Sequence, residues 1–392
     1  MKRTIEEIDV RGKKVFLRVD FNVPLDDSGN VTDSNRIVRE LPTIKYLLSQ
    51  GARLIICSHL GRPKGEPNPK MSLLPVAKHL FNFLSCKIRF SPAAIGDVAK
   101  QKIEETGEGE ILVLENIRFY KEEEENNPVF AQKLAELADI YVNDAFGCAH
   151  RKHASTYGIA QLLPNAVGYL MGAEINGITG TLENPERPFV AILGGAKVSD
   201  KLPIIHNLLT KCDSILIGGG MAYTFLAAQG KLIGKSLHEA ESLEDAKAIL
   251  AEAESRGVEL LLPIDHICTT TFSPTSEGVY VNGNIPEELM ALDIGKKTIK
   301  LYNSRISEAK TIIWNGPMGV FEFEHFKEGT KQVAKAVAKA KCKSIVGGGD
   351  SIAAVNEFKL ADKMFHISTG GGASLKLIAG EALPGVEVIS EV

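Results

Sequence analysis

Positively charged and amide side chains recur where short apolar runs of this chain give way to turns. In "CSHLGRPKG", residues 57–65, His59, Arg62 and Lys64 crowd a Gly- and Pro-broken turn directly after "RLII". "RVDFNVP" places Asp20 and Asn22 at the same kind of position, "ENIRF" adds Asn116 and Arg118, and "NDAFGCAHRKHAST" adds Arg151. "TDSNRIVRE" supplies Arg36 and Arg39 at the start of a predicted helix. Arginine offers a planar fork of donors matched to carboxylate and phosphate and stays charged in any surroundings. Taken singly, each arginine has a bland reading as a surface ion pair. Recurrence at successive strand ends points instead to a small, multiply charged anion.

The second half ends its strands in glycine: "AILGGAKVSDK", "SILIGGGMAY", "SIVGGGDSIAA" and "HISTGGGASLK", with "IIWNGPMGVFE" nearby. Glycine lets backbone N–H groups approach a phosphate, and a helix beginning after the turn aims its positive end there. One such turn would be explained by tight strand-to-helix packing. Their repetition, with Lys197 and Lys201 one helical turn apart, points to a nucleotide cradle that includes Gly195, Gly219, Gly348, Gly349 and Ser351. Asp350 follows "GGG" at a helix start, where a carboxylate caps the helix, holds Mg²⁺ on nucleotide phosphates, or does both. Glu322 in "GVFE" is a candidate for ribose hydroxyls.

Several rival motifs fail. "GKLIGKS", residues 230–236, is one residue short of a phosphate-binding P-loop and follows a helical pattern, where that loop needs a strand. No dinucleotide fingerprint is complete, and the next strand ends in Gly218–Gly220 where an acid should meet the ribose. His150 and His153 have no third ligand, and Arg151 and Lys152 between them repel a cation.

An arginine pocket in one half and a phosphate cradle in the other make phosphoryl transfer the chemistry, with Arg36 and Lys197 as candidates for neutralising the transferring charge. No obvious His/Asp general base stands among the first-half residues, which suits a carboxylate acceptor with no proton to lose.

These side chains need a frame. Short β-branched runs alternate with Ala/Leu/Lys/Glu segments along the chain, the pattern of βα units on parallel sheets. Strands are expected at "KVFLRVDF", "ARLIICS", "EILVLEN" and "DIYVNDAF", with weaker candidates at "KIRF" and "AVGYL". The second half offers "PFVAILGG", "SILIGGG", "GVELLLP", "TIIWNG", "KSIVGGG" and "KMFHISTGGG". "SLEDAKAILAEAESRG" reads as a helix capped by Ser242, with Asp245 at the capping-box position, and closed by Gly257. "KEEEENN" reads as a solvated helix entry.

At 392 residues the chain exceeds what one core organises, so two α/β domains are expected. "TLENPERPF" marks the boundary region after a connector helix "GAEINGITGTLE". The division is set at 1–170 and 171–375. A net charge of −4 gives no global basic field and argues against nucleic acid. Six scattered cysteines without a CxxC pair, no membrane-length apolar run and no secretory start predict a reduced, cytoplasmic protein.

Taken together, "RVDFNVP", "SHLGRPKG", "LENIRF", "NDAFGCAHRKHAST", "LGGAKVSDK", "GGGMAYTF", "WNGPMGVFE", "GGGDS" and "STGGGAS" resemble phosphoglycerate kinase in order and over the whole length. The resemblance implies two Rossmann-like three-layer αβα lobes joined by a helix and hinge. It implies reversible transfer from 1,3-bisphosphoglycerate to ADP, giving 3-phosphoglycerate and ATP with Mg²⁺. It also implies that Asp20, Asn22, Arg36, His59, Arg62, Arg118 and Arg151 bind phosphoglycerate. On the other side it implies that Lys197 and Lys201 contact phosphates, Glu322 the ribose, and Gly348 to Ser351 the triphosphate and metal. A monomer is implied, with a tail at about 376–392, including "LPGVEVISEV", crossing back to the first lobe. Lys376 stands where the family usually has an acid, and Cys148 replaces a common threonine; neither is expected to touch the residues just named. The rival readings are a non-catalytic two-lobed anion- and nucleotide-binding protein and a dinucleotide dehydrogenase.

Overall fold

Apolar, β-branched runs become the interiors of two parallel sheets in the computed structural model, which describes residues 2–392. The chain divides into two compact units, Met1–Ile175 with Ala382–Val392, and Asn176–Glu381. The division falls inside the helix Tyr169–Glu183.

In the first unit the strands are β1 (Lys14–Arg18), β2 (Arg53–Cys57), β3 (Ile88–Ser91), β4 (Ile111–Leu114), β5 (Ile140–Asn143) and β6 (Asn165–Val167), in the order β3-β4-β2-β1-β5-β6. Leu17, Ile56, Val113 and Val142 are fully buried, as expected where helices cover both faces of a parallel sheet. Register aligns Arg18 of β1 with Cys57 of β2 and Asn143 of β5. The turns that follow, carrying Asp20, His59 and Arg151, therefore leave the same edge. Within this unit the C-terminal segment hydrogen-bonds the turn after β5: the Gly385 N–H donates to Ala149 O at 2.8 Å, and Asn143 Nδ2 donates to Gly385 O at 3.2 Å.

The second unit adds β7 (Phe189–Leu193), β8 (Ser214–Ile217), β9 (Glu259–Leu261), β10 (Asp265–Thr269), β11 (Val279–Asn282), β12 (Met290–Ile294), β13 (Thr311–Asn315), β14 (Lys343–Gly347) and β15 (His366–Ser368). Its parallel sheet runs β15-β14-β13-β7-β8-β9. Asn315 pairs in register with Leu193 on one side and Gly347 on the other, and Leu193 pairs with Ile217. The glycine turns thus emerge at one level beside β7 and β13, where the strand order reverses and ligands bind in such sheets.

One element was not anticipated and two local expectations are corrected. The fold is mostly parallel, but β10, β11 and β12 form a separate antiparallel sheet that the sequence reading did not anticipate. The helix Leu243–Arg256 ends on Gly257 at φ 69°, as expected, yet Ser242 makes no side-chain cap bond. Within "KEEEENN", Glu123 is fully buried and accepts from Ser155 Oγ at 2.6 Å and Ser155 N at 2.8 Å, so this helix entry is not simply solvated.

Candidate active site in two halves

The anion half-site is built around the turn after β2. Gly61, at φ 63°, is clamped from both sides: its N–H donates to Asn22 Oδ1 at 2.8 Å, and its carbonyl accepts from Arg118 Nη1 at 2.9 Å. That clamp presents Arg62, which is exposed and has no hydrogen bond or ion pair among the described residues. Arg118 is buried, and burial lowers its pKa from the usual value. Its Nε faces Glu124 at 3.3 Å without forming a hydrogen bond, leaving a buried donor short of a partner. Arg36 opens the helix Asn35–Ser49 and places Nη1 2.5 Å from Asp20 Oδ2.

His59 is buried, and its Nδ1 lies 3.3 Å from Arg18 Nη2. Arginine only donates, so Nδ1 is the acceptor and the neutral ring carries its proton on Nε2. Burial, then Arg18, Arg118, Arg151 and Arg36, push the imidazole well below its ordinary range, consistent with that tautomer. Arg151 belongs to the same positive cluster, with its Nε donating to His150 Nε2 at 3.2 Å. His153 faces buried Glu123 at 3.9 Å, and burial together with the nearby arginines pulls it down to about 3.

Two residues here were missed or misjudged from sequence. Arg18, wholly buried, holds Ser155 Oγ at 2.8 Å as well as His59, and so fixes the histidine. Cys148, expected to touch none of the site residues, lies with Sγ 3.8 Å from His59 Nδ1. Asp20, His59 and Cys148 bring potential metal-ligand atoms within 4.8 Å of one another. Four arginines bear on that histidine, so the field there suits an anion and repels a cation.

In the second unit, Lys201 donates to Asn315 Oδ1, and Asn315 Nδ2 donates to Gly347 O at 2.8 Å. Burial lowers the Lys201 pKa, while Asp200 and Asp350 act in the opposite sense. Lys197 is exposed on the same loop, which Glu239 anchors by accepting from Ser199 Oγ at 2.6 Å and Ser199 N at 3.0 Å. Lys197, Lys201, Gly195, Gly348, Gly349, Asp350 and Ser351 line one cavity of about 460 Å³. A second cavity of about 560 Å³ shares Gly195 and Asp350 with it. The second is apolar, with Leu237, Phe272, Met318 and Val320, and Gly219 and Glu322 also line it.

The glycines divide by role. A Cβ on Gly194 would sit 1.9 Å from Pro317 O, and one on Gly219 would sit 2.6 Å from Gly195 N. The steric reading is therefore correct for these two. Gly349 has nothing within 4 Å, so its backbone faces open space. Gly348, at φ 92°, is the N-cap of the helix Gly349–Glu357, which puts Asp350 in the first turn and frees its carboxylate from the cap position. Ser351 is buried and its Oγ accepts the Gly316 N–H at 2.6 Å, a structural bond the sequence reading did not include.

Residues 5–381 match the family model described as phosphoglycerate kinase. The chain belongs to the phosphoglycerate kinase family. It is similar to the phosphoglycerate kinase of Koribacter versatilis, at 55% identity over 99% of each chain. To that of Clostridium botulinum strain Alaska E43 it is 54% identical over 100% of this chain and 99% of the relative. Among solved structures it is similar to phosphoglycerate kinase from Coxiella burnetii, with TM-score 0.92, 40% identity and coverage of 99% and 98%. As a member of this family it is a phosphotransferase acting between 1,3-bisphosphoglycerate and ADP to give 3-phosphoglycerate and ATP. No helix among the described residues is long and apolar enough to cross a membrane.

Proposed function

We propose that phosphoglycerate is held by the first-unit arginine cluster and nucleotide by the second-unit glycine cradle, and that the reaction occurs when the two ligands are brought together by closure about a hinge. The observation that carries this is the segregation of chemistry: buried, under-satisfied Arg118 and neutral His59 on one unit, and Lys201 with open Gly349 on the other.

Arg62, Arg118 and Arg151 supply forks to the phosphate and carboxylate of the substrate. Asn22 and Asp20 set the surrounding turn, and His59 offers its Nε2–H. Arg36 and Lys197 neutralise charge on the moving phosphoryl group, and Lys201 contacts the nucleotide phosphates. The apolar cavity, lined in part by Gly219, takes the base, and Glu322 accepts ribose hydroxyls. Gly195 and Gly348 through Ser351 cradle the phosphate chain.

The donor set fits Mg²⁺, since Asp350 is an exposed hard carboxylate oxygen beside that cradle and Mg²⁺ needs only one or two protein oxygens. When bound, the ion neutralises phosphate charge. We further propose a cytoplasmic monomer that acts on small molecules only.

The test is a coupled assay of ATP formation from ADP and 1,3-bisphosphoglycerate with the intact protein and with Arg36→Ala. Turnover in the intact protein and a loss of roughly 10³-fold in kcat for the variant are expected, with little change in nucleotide KM. An unchanged kcat removes Arg36 from the mechanism. Tight ligand binding without turnover would favour the non-catalytic reading.

A further inference from the structure

Glu40 and Asp144, 1% and 0% exposed, are carboxyl groups of the first unit that the proposed chemistry does not use. Glu40 Oε1 accepts the Asp20 N–H at 3.0 Å. Asp144 Oδ1 accepts the Met171 N–H at 2.8 Å. The other two oxygens, Glu40 Oε2 and Asp144 Oδ2, are buried and have no donor among the described residues.

Asp144 is the neighbouring charge that bears most strongly on Glu40, so the two buried carboxyl groups are neighbours. Two ionised carboxylates only accept and repel one another, so a buried neighbouring pair requires a proton on one of them. A Cβ on Gly168 would lie 2.3 Å from Asp144 Cγ, so that side of the carboxyl is closed by backbone.

We propose that Glu40, protonated beside Asp144, is a positioning residue for the phosphoglycerate site, tying the Asp20 turn to the start of the helix Tyr169–Glu183. The chain runs from Arg36 Nη1 to Asp20, from the Asp20 N–H to Glu40, from Glu40 to its neighbour Asp144, and on to the Met171 N–H. The proposal rests on the reading of Asp20 as part of the phosphoglycerate site.

The titratable groups that bear most on Glu40 are Asp144 from the end of β5 and Asp20 from the turn after β1; Glu40 in turn bears on Asp144, which has the Met171 amide as a neutral donor. Burial first, and Asp144 second, hold the Glu40 proton well above the usual carboxylate range. At alkaline pH its loss would leave two buried anions beside Asp20 and displace that turn.

The experiment is steady-state kinetics with 3-phosphoglycerate and ATP, from neutral to alkaline pH, on the intact protein, Glu40→Gln, Glu40→Ala and Asp20→Ala, with thermal midpoints on the same samples. Glutamine keeps a neutral donor, so Glu40→Gln is expected to hold KM for 3-phosphoglycerate within about twofold, while Glu40→Ala raises it roughly tenfold with ATP KM unchanged. A raised acid contributes stability that is lost as pH rises through its folded pKa. Both the 3-phosphoglycerate KM and the thermal midpoint of the intact protein should therefore worsen at alkaline pH more than those of Glu40→Gln.

Glu40→Gln as damaging as Glu40→Ala, or sharing the alkaline profile of the intact protein, overturns the proposal. If Asp20→Ala leaves the 3-phosphoglycerate KM unchanged, the underlying site reading fails; if it raises KM and Glu40→Ala does not, the positioning role alone fails. Should Glu40→Ala not fold, the pH profile of Glu40→Gln decides.

Discussion

The Lys201 ammonium donates to the Asn315 side-chain oxygen, joining the loop after β7 to the end of β13. Asn315 in turn donates to Gly347 O at 2.8 Å, so one amide ties the lysine to the glycine turn after β14. A charged, partly desolvated lysine fixed in this way needs no rearrangement to meet developing negative charge. Lys201→Ala should lower kcat/KM for nucleotide by about 10²-fold or more with the 3-phosphoglycerate KM little changed. Steady-state kinetics with each substrate varied in turn checks it, and an equal loss for both substrates contradicts it.

The glycine turns make a paired test of packing against binding. Gly194→Ala forces a methyl to 1.9 Å from a backbone carbonyl that cannot rotate away. A loss of about 3 kcal/mol or more is expected in denaturant unfolding. Gly349→Ala meets open space at a helix start, so stability should hold while nucleotide KM rises. Equal effects of the two substitutions on unfolding would remove the distinction.

Strand ends were legible from sequence because buried parallel strands read as apolar runs and the chemistry sits on the residues just beyond them. Asp20, His59 and Arg118 could be picked out in this way. Arg18 could not: it is the last residue of β1, before the turn that carries the predicted residues, and its value comes from Ser155, far away in the chain. Glu40 carries no sequence signal, because Asp144, the charge that bears on it, is more than a hundred residues away. Cys148 reaches His59 only because β1, β2 and β5 are adjacent in register. The antiparallel sheet was hidden for a different reason. β11 is largely exposed, so "VYVN" has no buried face to impose an apolar pattern.

Stability should also report a buried histidine of the second unit. His266, beside Tyr223 with ring centroids 5.5 Å apart, is drawn down to about 4 by burial. The folded protein holds it neutral while the unfolded chain protonates it near its ordinary value. Its contribution is therefore complete above that value and is lost as pH falls toward about 4. The loss amounts to roughly 3 kcal/mol for this group. Urea midpoints measured across that window should fall more steeply for the intact protein than for His266→Gln; parallel curves would mean that the ring is not held neutral.

Arg62 offers the most direct test of the central claim that the anion and the nucleotide are bound by different units. It is exposed and unpaired among the described residues, so Arg62→Ala leaves the fold intact. Calorimetric titration of this variant should show 3-phosphoglycerate bound more weakly by about 1.5 kcal/mol or more, the scale of a charged hydrogen bond, with ADP affinity unchanged. Unchanged 3-phosphoglycerate affinity, or an equal loss for ADP, would contradict the account.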